Sequence, residues 1–486
     1  MFATLYFPFI SALASTATPK GLTPMLRDGR VSAASNHMKR LTEACEDKEC
    51  LPLFVQLQAD LQLTLGLEVD AEDAYRESQK LMRGCKREVR MASSRNTGWQ
   101  AFHRHRFGTA MACFMRVVDE PDVDPRRRVE GLFGTLCVLY ELGHLRDAAN
   151  VLDEMEADVV ASFDQYAHSG DWHELIDTLR VDIATQRELR SNPQLSDHVY
   201  WHSSFSSEPG LLAPAENGHA RRIATLAAGV RSPLLRGRID FLANMRRLAA
   251  GEREAMERLN DHLQWATSNG MVSYLRALRT EISLASLAGN AAQMSEAVLA
   301  PLAGESRAAQ GHRHLEYLYC MAKTRQIQGR SRDSMQLYSR YAFAAMQCVR
   351  DESRALTPYA QRSRHQTDVL DDDVAARLPA KYRRAYRYLL DNLERSDLSV
   401  REVAAEVGVT ERALQSAFKN SLGATPTEVI RQQRMERIHA ALQSDAAQSE
   451  QGVLDVANKW GVQNRSTLAN GYRRQFNEAP SETLKR

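Results

Sequence analysis

The chain has 486 residues, of which 43% are hydrophobic and 26% charged, with a formal net charge of +2. That balance is ordinary for a soluble globular protein and excludes a disordered or membrane-embedded chain. The length allows about two to four domains with ample core.

The N-terminal stretch from Phe2 to Ala14 is apolar, but Pro8 interrupts it and the first cation is Lys20. Without a basic leading region it does not read as a secretory signal, and it is too short to span a bilayer. A first helix packed on the rest of the protein is expected. No other segment approaches a membrane span, so a cytoplasmic protein with no membrane partner is expected. The seven cysteines are Cys45, Cys50, Cys85, Cys113, Cys137, Cys320 and Cys348. An odd, scattered set reads as free thiols in a reducing compartment. Cys45 and Cys50 are close, but no second Cys or His pair follows at zinc spacing.

Residues 1–350 show helical periodicity with almost no strand alternation. A glycine followed by a small or sulfur residue, then by an apolar residue, recurs as Gly108…Cys113…Val117 and Gly143…Ala148…Leu152. It returns as Gly251…Ala255…Leu259, Gly289…Met294…Val298 and Gly329…Ser334…Tyr338. The glycines lie roughly 36 residues or a multiple apart, close to the period of tetratricopeptide-type helix pairs. The expected fold is therefore all-α, with a tetratricopeptide-like solenoid at the N-terminus that binds protein or self-associates. The alternative is an irregular helical domain whose helices end in glycine by ordinary capping. Prolines and glycines between 191 and 235 suggest a loop-rich break between two helical halves. A polar stretch over 351–380, with Asp371-Asp372-Asp373, reads as a linker.

No enzyme constellation is present. Phosphate-binding glycine loops, a Gly-x-Ser-x-Gly elbow and a His-Glu-x-x-His pair are all missing. His173-Glu174 opens a zinc pattern, but Asp177 occupies the second ligand position. His103 and His105 are two apart and do not share a helix face. No cofactor and no metal is expected.

Residues 381–486 carry two helix-turn-helix patterns, over 399–420 and 453–476. In the first, Val400, Val403, Ala404 and Val407 make one apolar face behind a Ser399/Glu402 capping box. Gly408 turns the chain and Thr410 caps the next helix. Leu414, Ala417 and Phe418 face inward there, so Arg412, Gln415, Ser416 and Lys419 point outward. In the second, Val453, Val456, Ala457 and Trp460 precede Gly461. Leu468, Tyr472 and Phe476 then face inward, leaving Arg465, Ser466, Ala469, Asn470 and Arg473 outside. Thr425-Pro426-Thr427-Glu428 opens a joining helix that runs to about Leu442, roughly 27 Å long. That length suits two readers about one DNA turn apart. From Lys381 onward there are 17 Lys and Arg against 13 Asp and Glu, and before it 46 against 48. The basic surplus lies on the end that carries the two helix-turn-helix patterns, as a DNA-binding reading expects.

Leu414-x-x-x-Phe418, Gly423-x-Thr425-Pro426, Arg434-Met435, Gly461, Ser466-x-Leu468, Tyr472, Phe476 and Pro480 follow one another in order. This C-terminal part resembles AraC/XylS-type transcription regulators, over about Lys381 to Arg486. The resemblance implies base contacts by Arg412, Gln415 and Ser416 in one helix and by Arg465, Ser466 and Asn470 in the other. Lys419, Arg434, Arg473 and Arg474 are the expected phosphate contacts. Ser416 and Asn470 stand where the family usually has Arg, and Asn477 where it usually has Gly. Many such regulators carry a small β-barrel at the N-terminus, and nothing here looks like one. Length and layout resemble instead the HrpB/HrpX-type activators of type III secretion genes in plant-associated bacteria. The expected function is an activator that binds promoter direct repeats in double-stranded DNA and works with RNA polymerase. The alternative is a helical-repeat adaptor whose C-terminal helices bind protein.

Overall fold

The computed structural model describes residues 3–83, 86–163, 169–201, 216–304, 312–356, 378–445, 453–476 and 479–483. Among these residues every regular element is a helix. None is long and apolar enough to cross a membrane. The chain forms two units, Met1–Leu81 with Gly98–Tyr359, and Met82–Thr97 with Ala360–Arg486.

In the first unit the helix Ala3–Ala14 buries Leu5, Tyr6, Phe7, Phe9 and Ile10 completely. The apolar N-terminus is thus a core element, as its composition suggests. Helices then pack in sequential pairs, including Pro125–Glu141 with Leu145–Phe163 and Pro233–Ala249 with Ala255–Ser268. Val272–Ala288 pairs with Ala292–Leu299, and His312–Ile327 with Ser331–Ala355. Gly143, Gly251, Gly289 and Gly329 fall at the turns of these four pairs. Gly108 does not turn the chain, because it lies inside the helix Phe107–Val118. The stretch 191–235 is less loop-like than its prolines suggest. It holds a 3-10 turn at Pro193–Leu195 and a helix at Glu216–Gly229, the latter rich in alanine. Pro209, Gly210 and Pro214 lie outside the described residues.

One buried charge cluster ties four of these helices together. Arg238 donates to both oxygens of Asp182 at 2.8 and 2.9 Å and to Glu281 Oε2 at 2.9 Å. Tyr6 OH donates to Asp182 Oδ2 at 2.8 Å. Arg238 and Asp182 are fully buried, and Glu281 nearly so. Against the cost of burial, Asp182 and Glu281 hold the guanidinium in its charged form.

The second unit contains Ala380–Asp391, Val400–Glu406, Glu411–Leu422, Pro426–Asp445, Val453–Lys459, Arg465–Phe476 and Pro480–Thr483. It has two separate cores. The first gathers Tyr386, Leu389, Val403, Leu414 and Phe418, and the second Val456, Ala457, Leu468 and Tyr472. The 20-residue helix Pro426–Asp445 serves both, running three residues past its expected end. Val429 and Ile430 enter the first core, and Met435, Ile438 and Leu442 the second. At 3.6 residues per turn these two sets point about 160° apart. The joining helix is therefore apolar on opposite sides in its two halves.

The sequence reading places residues 82–97 with the N-terminal helices, but they belong to this second unit. Ser93 Oγ donates to Ser421 O at 2.5 Å, and Lys86 pairs with Glu428. Gly423, at φ 69°, leaves no room for a side chain: a Cβ there would lie 2.6 Å from Lys86 O. Glycine thus serves the helix end and the close passage of residues 86–90 at once. The linker segment with Asp371-Asp372-Asp373 lies outside the described residues.

Candidate nucleic-acid interface

The first helix-turn-helix is built locally as its sequence suggests. Ser399 Oγ accepts from Glu402 N at 3.2 Å, and Gly408 takes φ 62° at the turn. Thr410 Oγ1 accepts from Ala413 N at 3.2 Å and starts the helix Glu411–Leu422. Only half of the first capping box forms. Glu402 turns away from Ser399 N and accepts from Tyr388 OH at 2.8 Å and Arg395 Nη1 at 2.6 Å. Those bonds, from Tyr388 and then Arg395, hold its carboxyl below the ordinary range. A charged guanidinium outcompetes a backbone N–H for the carboxylate. The Thr425/Glu428 box is complete, with Thr425 N to Glu428 Oε2 at 2.8 Å and Glu428 N to Thr425 Oγ1 at 3.3 Å. Hydrogen bonding by Lys86, then by Thr425 N, lowers the Glu428 carboxyl to about 2.

In the second motif Gly461 takes φ 71° and the helix Arg465–Phe476 follows. Its inner face is braced by aromatic and polar contacts. His439 stacks on Phe476 at 4.1 Å between ring centres, and its Nδ1 lies 2.6 Å from Tyr472 OH. Tyr472 OH donates onward to Thr483 Oγ1 at 2.8 Å.

Leu414, Phe418 and Leu422 are buried in the first of the two outward helices, with Ala417 half-buried. Arg412, Gln415, Ser416 and Lys419 are exposed at i, i+3, i+4 and i+7, so they share one face. On the second helix Arg465, Ser466, Asn470, Arg473 and Arg474 are exposed while Leu468 and Tyr472 are buried. Ser466 Oγ donates to Asn464 Oδ1 at 3.2 Å, fastening it to the start of its own helix. This second helix carries three arginines and no acidic residue. Among the described residues Arg412, Lys419, Arg465, Arg473 and Arg474 are not drawn into any ion pair. Two exposed, cationic, amide-bearing helix faces result, chemistry that matches base edges and phosphates.

Arg434 behaves differently from the other expected phosphate contacts. Its Nε donates to Leu393 O at 2.9 Å, and its Nη2 donates to Arg395 O. The guanidinium also lies against Gly461, where a Cβ would come 2.9 Å from Nη2. Burial lowers its pKa. It is committed to the joint between the two motifs, because the carbonyl of Leu393 in the first core, that of Arg395 just after it and the turn of the second motif meet around it. The sequence reading also missed Arg395, Tyr388 and Lys86 as braces. Lys86 acts on a residue 342 positions away, and Tyr388 and Arg395 reach Glu402 from outside its helix, so helical periodicity marks none of them.

Among the described residues no group of three or more His, Cys, Asp or Glu side chains is placed to hold a metal. The described cysteines are free.

Comparison with known proteins agrees with this geometry. Residues 403–486 match a family model described as a helix-turn-helix domain. The chain is 36% identical over 439 residues to the regulatory protein HrpB of Ralstonia nicotianae (strain ATCC BAA-1114 / GMI1000), covering 88% of each chain. It is 37% identical over 109 residues to a probable thc operon regulatory protein of Rhodococcus erythropolis, covering 22% of this chain and 32% of that one. It is 32% identical over 105 residues to XylDLEGF operon transcriptional activator 3 of Pseudomonas putida, covering 22% and 31%. No solved structure matches the chain.

Proposed function

Because the chain belongs to the family of the regulatory protein HrpB and ends in an AraC-type DNA-binding domain, we propose that it activates transcription by gripping two adjacent major-groove sites. The observation that carries this reading is the pair of exposed cationic helices, each held on its own core, with one continuous helix serving both cores. At 1.5 Å per residue that helix is about 30 Å long, close to one turn of DNA. In this reading Arg412, Gln415 and Ser416 read one site and Arg465, Ser466 and Asn470 the other. Lys419, Arg473 and Arg474 hold phosphates, and Arg434 sets the joint instead. The target genes are those of type III secretion, recognised through promoter direct repeats, with RNA polymerase as the partner on the promoter. The first unit takes the regulatory input or mediates self-association through its helix pairs.

A footprint of the full chain on promoter fragments tests this. Protection should cover two half-sites on one face of the duplex. Inserting about five base pairs between them, half a turn, should abolish joint protection while leaving each half-site intact. Binding that ignores sequence and spacing would reject the proposal.

A further inference from the structure

The last described helix of the first unit, Ser331–Ala355, packs one side on His312–Ile327 and Phe107–Val118. Tyr341, Ala345 and Cys348 are buried on that side. The opposite side is apolar as well. Met335 is 72% exposed, Phe343 70%, Met346 56% and Val349 43%. At 3.6 residues per turn these four and the half-buried Ala342 fall within about 120° of one another. The stripe runs about 21 Å along the helix, from Met335 to Val349. Single exposed apolar side chains are ordinary, but four on one side of one helix indicate an interaction surface.

The helix pairs before this one make the point sharper. Pro233–Ala249 touches Val272–Ala288, which touches His312–Ile327, so successive pairs cover one another. A final pair in such a series ordinarily ends in a polar face. This one keeps the apolar face of an interior pair, and the shape it is ready to receive is another helix.

The charges beside the stripe select which helix. Arg332 and Arg350 are exposed near its two ends, on the side of Phe343, and Arg340 is exposed just beyond. Among the described residues no ion pair or hydrogen bond engages any of the three, and Asp333 is already held by Arg330 at 2.6 Å. A second copy of this chain meets like charge. Laid antiparallel about Ala342 it brings Arg332 close to Arg350 of the other copy, and laid parallel it sets each arginine beside its counterpart. A membrane surface is favoured by several inserted aromatic and leucine side chains, whereas Phe343 is the one exposed aromatic described on this helix. Methionine adapts to varied apolar shapes and is common where a helix docks on another protein.

We propose that the exposed side of Ser331–Ala355 is the docking surface for an acidic amphipathic helix of a partner protein. The apolar face of that helix packs on Met335, Ala342, Phe343, Met346 and Val349, and its carboxylates pair with Arg332, Arg340 and Arg350. This deepens the reading of the first unit as the part that takes regulatory input. Its test uses no DNA, so failure here is distinct from failure of the DNA-binding reading.

Fluorescence anisotropy of the full-length protein with two labelled synthetic helices tests this. Both carry the same leucine stripe, flanked by glutamates in one and by lysines in the other. The acidic helix should bind saturably, and more weakly as salt is raised, while the basic one does not bind. Phe343→Ser with Met346→Ser should weaken the acidic helix about tenfold or more. Arg332→Ala with Arg350→Ala should weaken it by a similar factor and flatten its salt dependence. All four changes lie on the exposed side, so helical circular dichroism and the melting midpoint should stay as in wild type. The proposal is overturned if neither helix binds, if both bind equally, or if binding ignores both double variants. It is also overturned if sedimentation shows a dimer that Phe343→Ser with Met346→Ser dissolves, since a second copy then covers the stripe. Capture by phosphatidylserine vesicles that is lost in the same variant would assign the stripe to a membrane and overturn it likewise.

Discussion

Arg434→Ala separates two accounts of one arginine. In the structure its guanidinium makes two hydrogen bonds to carbonyls, Leu393 O and Arg395 O, and rests on Gly461. A hydrogen bond to a charged group contributes about 1.5–3 kcal/mol. Leu393 is buried, so its carbonyl loses a partner that water cannot easily replace, whereas the Arg395 carbonyl is closer to solvent. Counting the first bond nearly in full and the second at a discount, the loss should be about 2–4 kcal/mol in the second unit. Urea unfolding, with hydrogen exchange of peptides from 380 to 476, reads that loss directly. Binding to tandem half-sites should fall much more than binding to one half-site, because the joint and not a phosphate contact is lost. Arg434→Lys keeps the charge but not the forked geometry, so it should resemble the alanine variant. The reasoning is refuted if Arg434→Ala leaves stability intact and lowers the salt slope of DNA binding by about 0.9, the mark of one lost phosphate contact.

Other outcomes follow from the same structure. Arg412→Ala and Arg465→Ala should each cost about 1–3 kcal/mol on cognate DNA and relax preference at one position, read by competition binding against point-changed sites. Equal losses on random DNA would remove the base-reading role. Replacing Lys419, Arg473 and Arg474 together should weaken binding to every sequence and reduce the salt slope by about 2.7; an unchanged slope rejects these contacts. Arg238→Ala strands Asp182 and Glu281 in the core and should destabilise the first unit by about 3–5 kcal/mol in denaturant unfolding. A loss under about 1 kcal/mol would mean that the cluster relaxes or admits water. The Glu428 carboxyl is lowered in the folded state from 4.5 to about 2. Its stabilisation is present above the unfolded value and disappears as pH falls through that interval. The stability gap between wild type and Glu428→Gln should therefore shrink from pH 4.5 to about 2. A gap independent of pH would contradict the assignment.

The elements most legible in the sequence are those fixed by neighbours a few residues away. Ser399, Thr410 and Thr425 each cap the helix their spacing announces, and Gly408 and Gly461 turn where the apolar stripes end. The outward faces follow from the inward ones, so Arg412 and Arg465 were placed by periodicity alone. What stayed hidden depends on partners outside the helix concerned. Glu402 was expected to finish its own cap, but Tyr388 and Arg395 take its carboxylate instead. Arg434 looked like any cation on an amphipathic helix until Leu393 and Gly461 came beside it. Residues 82–97 belong to the second unit through Ser421, Gly423 and Glu428, more than 300 positions away. The buried cluster of Arg238, Asp182 and Tyr6 likewise has no local mark, since each member alone reads as an ordinary surface or core residue.

In the proposed two-site mode, the joining helix also limits how this protein and its operators can diverge. Its two halves present apolar residues on nearly opposite sides, so rotation and length are locked together. One inserted residue would swing the second motif by about 100° and advance it by about 1.5 Å. Both motifs could not then face one side of a duplex. Seven inserted residues restore the phase to within about 20° and add about 10 Å, the rise of three base pairs. Drift in half-site spacing by one or two base pairs thus has no matching change in the helix. In that mode, descendants of this chain would be confined to a few discrete spacings, and promoters would join or leave their control in steps of that size.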